Sequence, residues 1–64
     1  MMKHIDHGLD FATNEFVSEI VVDGVSHVCR IDSAVVMRLG VEVRAHAERK
    51  MCEEAGVDFD KVPS

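Results

Sequence analysis

Basic residues are scarce in this sequence: seven Lys and Arg stand against twelve Asp and Glu, for a net charge of −5. That deficit argues against general binding to nucleic-acid phosphates, which needs a positive field. It argues equally against adsorption to anionic membranes. Long apolar runs are also missing. None approaches a membrane span, and Met1-Met2-Lys3-His4-Ile5-Asp6 leads into no signal-peptide core. The two cysteines, Cys29 and Cys52, are too few for a disulfide framework. Without a secretory signal, reduced thiols in a cytoplasm are the default. There is no internal repeat, glycine-rich phosphate loop, nucleophile elbow or paired-carboxylate motif.

What remains is an ordinary globular composition, 47% apolar and 30% charged. Its 64 residues make room for one domain, 1–64. So short a chain buries a small share of its surface and is marginally stable unless a disulfide, a metal or self-association helps.

Residues 1–8 read as a flexible lead-in ending at Gly8, and Leu9–Ala12 as a short edge strand before a turn at Thr13-Asn14. Glu15–Val22 is rich in β-branched residues and reads as a strand. Asp23-Gly24 suits a two-residue type I′ turn, which needs positive φ at both positions. Val25–Ile31 returns as the next strand. This turn sets the register: Val22 opposite Val25, Ile20 opposite His27, Ser18 opposite Cys29 and Phe16 opposite Ile31. That face is apolar and should meet a helix, with Phe11 joining Phe16 if the first turn is tight. The other face carries Val17, Glu19, Val21, Ser26, Val28 and Arg30, with Glu19 and Arg30 as a diagonal ion pair.

Asp32 or Ser33 offers an N-cap, and a helical pattern runs from about Ala34 to Ala55, interrupted at Gly40 and stopped at Gly56. Two apolar stripes appear at helical spacing. Val36, Leu39, Val43, Ala47 and Met51 form one. Ala34, Met37, Val41, Ala45, Cys52 and Ala55 form the other. Arg38, Glu42, His46, Arg49 and Glu53 fill the solvated arc. The charges Arg44, Glu48, Lys50 and Glu54 alternate in sign with these and read as a solvated face too. One stripe covers the hairpin, and the second needs a partner. The tail at 57–64 tucks Phe59 back or hangs free. The fold class is therefore α+β: an antiparallel hairpin or three-stranded meander packed on one long helix, or on one short and one long.

His27 and Cys29 are the candidate metal ligands, since they share a strand face. His4-x-x-His7 is another short-spaced pair. No four-ligand zinc spacing is present, however, and Cys29 also reads as a core thiol. A Cys–His nucleophile pair lacks the basic pocket that would lower a thiol pKa. A chain this short has little room for a ligand-sized pocket, so no enzyme activity and no cofactor are expected.

The stretch Phe16 to Ser33, with Asp23-Gly24 and Cys29-Arg30-Ile31, resembles an uncharacterised bacterial family, the domain of unknown function 1488 family. Val43-Arg44-Ala45-His46-Ala47-Glu48-Arg49 resembles that family's later helix. Ser18 stands where the family often carries an aromatic residue, and the segment between the helical parts is shorter here. The resemblance implies a strand, a turn, a strand and a helix. It implies no activity.

The sequence thus points to a non-enzymatic protein-interaction module of a bacterium or phage, cytoplasmic and homodimeric. Met37, Val41, Ala45 and Cys52 on the helix, and Val17, Val21 and Val28 on the sheet, are its candidate contact residues. The partner is a second copy or another protein, not nucleic acid or a membrane. An acidic inhibitor that covers a basic nucleic-acid-binding surface, as an anti-defence protein does, is the sharper alternative. A small metal-binding protein using His27 and Cys29 is the other.

Overall fold

A computed structural model describes residues 4–62. Its elements follow from local chemistry, beginning with the Asp23-Gly24 turn. Both residues take positive φ, 52° and 81°, so strand β2 (Glu15–Val22) folds directly back as β3 (Val25–Asp32). The register is the expected one, with Val22 opposite Val25, Ile20 opposite His27, Ser18 opposite Cys29 and Phe16 opposite Ile31. A first strand, β1 (Asp6–Asp10), pairs antiparallel with β2 and completes a meander of order β1-β2-β3. Two helices, α1 (Ser33–Leu39) and α2 (Val41–Ala55), then pack on the sheet, and a 3-10 turn follows at Phe59–Lys61. The chain is α+β, with one short and one long helix.

Strand β1 begins earlier than its sequence suggests. Ile5 is buried, and Asp6 to Gly8 already pair with β2, so residues 5–8 are not a loose lead-in. The alternation was hidden because His7 is a polar residue on the inner face. The first turn is also longer than two residues. The Asp10 carboxylate accepts hydrogen bonds from the Ala12 and Thr13 backbone N–H groups at 3.0 and 3.3 Å, so the chain turns from residue 11 onward. Leu9, not Phe11, therefore lies opposite Phe16, and Phe11 is 87% exposed. Arg30 also takes partners other than Glu19. It donates to Asp10 at 3.0 Å and to Glu15 at 3.3 Å, while Glu19 accepts from Ser26.

Asp32 caps α1, accepting from the Ala34 N–H at 2.8 Å. Gly40 ends α1 with φ 88° and ψ 176°, and α2 starts beyond it. Gly56 closes α2 in the left-handed conformation. The core joins Ile5, Ile20 and Val22 from the strand side to Met51 and Cys52 of α2, with Cys29, Ala55, Val57, Phe59 and Val62 packed around them. Phe59 thus folds back, held where Arg49 lies over its ring at 4.9 Å and pairs with Asp60 at 3.2 Å.

The rotation of α2 settles the two stripes. Met51 of the first and Cys52 of the second are both buried, so the core direction bisects the stripes instead of choosing one. Cys52 is fully buried and is no contact residue for a partner. Leu39, expected to cover the hairpin, is 60% exposed because the break at Gly40 ends the phase of α1. Arg38, Glu42, His46, Arg49 and Glu53 are solvated as expected.

Candidate functional site

Glu48 lies on the arc of α2 that carries Met51 and Cys52, three and four residues on, and it is buried with them. A carboxylate there needs partners, and each comes from a different element. Ser18 on β2 donates its hydroxyl to Glu48 Oε2 at 2.6 Å. His7 on β1 places Nε2 2.6 Å from the same oxygen, and opposite a carboxylate that nitrogen is the donor. One turn back along α2, Arg44 brings Nε to 3.8 Å. Its guanidinium lies 5.3 Å from the centre of the Phe16 ring, a cation–π distance. Arg44 Nε is itself buried without a hydrogen-bond partner, so the charge pair is close but not bonded. The cluster ties α2 to β1 and β2 through side-chain hydrogen bonds.

Its geometry is not that of a nucleophile site. Ser18 and His7 meet at one carboxylate oxygen, so the imidazole does not face the hydroxyl. Ser18 is 1% exposed, which closes it to a substrate.

An open cleft of about 520 Å³ lies beside this cluster. His7, Arg44 and Glu48 border it, and Ile5, Val41, Ala45, Phe59 and Val62 supply its apolar walls. Val41 is 73% exposed although its helical position falls on the core-facing arc, at the first residue of α2. Met37, 83% exposed, projects from α1 just before the break. Among the seven candidate contact residues, Met37, Val41 and Ala45 are thus exposed on the helical side. Val17, Val21 and Val28 lie on the outer face of the sheet, where Val17 is half-buried and the other two are exposed. The two sets are on opposite sides of the sheet and do not form one patch.

His27 and Cys29 share the inner face of β3 and line a second groove, against Ala47, Lys50, Met51 and Glu54 of α2. Among the described residues, no three His, Cys, Asp or Glu side chains come together as a ligand group. Burial pushes both the Cys29 and the Cys52 thiols up from the ordinary range. Stability is therefore unaffected below the ordinary thiol range. It falls above that range, where the unfolded chain releases these protons before the native one does. At neutral pH, iodoacetamide is expected to leave Cys52 unmodified in the folded protein and to alkylate both thiols in urea. Rapid native modification of Cys52, read by mass spectrometry, contradicts this.

Sequence reasoning missed Glu48, Arg44, Ser18 and His7 as a group. The available signal was a carboxylate spaced three and four residues before Met51 and Cys52. Among the described residues, no helix is long and apolar enough to cross a membrane. No protein-family model, curated protein or solved structure matches the chain.

Proposed function

We propose that this chain is a non-enzymatic, cytoplasmic protein-interaction module that self-associates through the α1–α2 junction. One observation carries the reading. Val41 and Ala45 wall a cleft on the core-facing arc of α2 and no described residue covers them, while Met37, four residues before Val41 on α1, is also exposed.

A second copy suits this surface. A two-fold contact needs a patch that is its own complement, and the chain offers both an exposed side chain, Met37 on α1, and a cleft walled by Val41 and Ala45 on α2. Methionine is flexible enough to fill an irregular apolar gap. Arg38 and Glu42, both exposed, flank the apolar residues with opposite charges, so an antiparallel pairing sets each Arg38 near the Glu42 of the other copy. The small core gives association a stabilising role as well, since a domain of this size gains little from its own interior.

Sedimentation velocity on the wild-type chain tests this. The expected result is a dimer that dissociates on dilution. A monomer throughout the micromolar range contradicts it.

The second reading, an acidic inhibitor of a basic nucleic-acid-binding protein, is favoured by the carboxylates on the outer sheet face. Asp6 lies opposite Glu19, Asp10 opposite Glu15, and Glu15 opposite Asp32. Binding of that kind weakens as salt rises. Affinity for a basic target that does not change with salt excludes it.

A further inference from the structure

The free edge of β3 and the groove beside it form a second site, distinct from the helix junction. The Asp23-Gly24 turn fixes which way the β3 backbone faces. In a two-residue turn the Val25 N–H bonds back to the Val22 carbonyl. By alternation, the N–H groups of His27, Cys29 and Ile31 also point toward β2. The Ser33 N–H, in the same phase, bonds to the Asn14 carbonyl at 3.0 Å. The N–H and C=O groups of Ser26, Val28 and Arg30 therefore point away from the sheet. No described strand lies on that side. Natural sheets protect such edges with proline, bulges or short strands. This one is eight residues long, contains no proline and pairs without a register shift.

Next to that edge, β3 and α2 enclose an open groove of about 410 Å³. Ala47 and Met51 on the helix and Cys29 on the strand give it an apolar floor, and Lys50 and Glu54 rise at its helical rim. The outer face has the opposite character. Five carboxylates, Asp6, Asp10, Glu15, Glu19 and Asp32, stand there against one arginine, Arg30. Arg30 reaches across to Asp10 and Glu15, leaving Asp32 nearest the free edge. Like charges directly opposite each other destabilise a sheet, and a cation from outside relieves that repulsion.

We propose that β3 is a docking edge for an extended segment of a partner protein that alternates apolar and basic residues. The segment pairs as a fourth strand through the backbone of Ser26, Val28 and Arg30, the strand-addition mode of peptide recognition. Its apolar side chains enter the β3–α2 groove, and its Lys or Arg side chains lie on the outer face, where Asp32 of β3 and Glu15 and Glu19 of the next strand are the carboxylates within reach. A second copy suits this edge poorly. Helix α2 lies over β3 more than over β2, so two chains paired through β3 bring both α2 helices onto the same groove. A lone segment carries no helix. The proposal does not rest on self-association, because the edge and the helix junction share no residue.

The probe is an acetylated, amidated octapeptide of alternating lysine and valine, titrated into labelled protein while amide hydrogen exchange is followed by NMR. The expected result is slower exchange, by about tenfold or more, at Ser26, Val28 and Arg30. His27 and Cys29, already bonded to β2, stay unchanged. Methylating alternate peptide nitrogens is expected to abolish the effect, as is Val28→Pro, which removes an outward donor. If that variant does not fold, the methylated peptide still decides the matter. Edge amides unaffected at millimolar peptide overturn the proposal. So does equal protection by a block peptide of four lysines followed by four valines, which identifies charge attraction alone.

Discussion

Glu48→Ala is expected to destabilise the fold by about 1–3 kcal/mol, the usual cost of leaving a buried hydrogen-bond donor without its acceptor. The carboxylate is 7% exposed and receives Ser18 and His7 at 2.6 Å each, with Arg44 Nε at 3.8 Å. Its loss leaves a buried hydroxyl and an imidazole without their acceptor and removes the charge beside Arg44. A domain of this length has roughly 3–10 kcal/mol of total stability, so the variant is expected to lose a substantial part of it. Glu48→Gln keeps an acceptor oxygen and loses only the charge opposite Arg44, and its effect is expected to be smaller. Urea unfolding read by circular dichroism separates the two. If Glu48→Ala unfolds within about 0.5 kcal/mol of wild type, the range of an ordinary surface substitution, the cluster does not hold α2 on the sheet.

The second large effect concerns association. In the double variant Met37→Glu, Val41→Glu, each copy loses two exposed apolar side chains from the proposed contact and gains two carboxylates. Burying one such side chain contributes about 1.5 kcal/mol at the low end. With four side chains per dimer, the loss is about 6 kcal/mol. At 1.4 kcal/mol per decade, Kd rises by about four orders of magnitude. Both residues lie outside the core, so the fold itself is expected to survive. A dimer of unchanged affinity, read by sedimentation equilibrium, moves the contact elsewhere.

How far the sequence disclosed this structure depended on whether each cause was local. The β2–β3 register was legible because Asp23-Gly24 admits one turn geometry, and every later pair follows from it. The Asp32 cap and the Gly56 stop are likewise local chemistry. Strand β1 was not legible, because its inner residue His7 is polar and makes sense only beside Glu48, 41 residues away. The phase of α2 was ambiguous for a related reason. Two apolar stripes of similar strength gave no preferred face, and tertiary packing placed the core between Met51 and Cys52. This buried Cys52 and left Val41 and Ala45 to the cleft. Glu48 was hidden by its neighbours, since a run of alternating charges reads as solvated until one of them is placed on the buried arc.

The most direct test of the self-association account is an isotope-filtered NOE experiment on a mixture of labelled and unlabelled chains. The account predicts intermolecular contacts from the Met37 methyl of one copy to the Val41, Ala45 and Val62 methyls of the other. Intermolecular contacts confined to Val17, Val21 and Val28 on the outer sheet face, or none at a concentration where a dimer is present, contradict it.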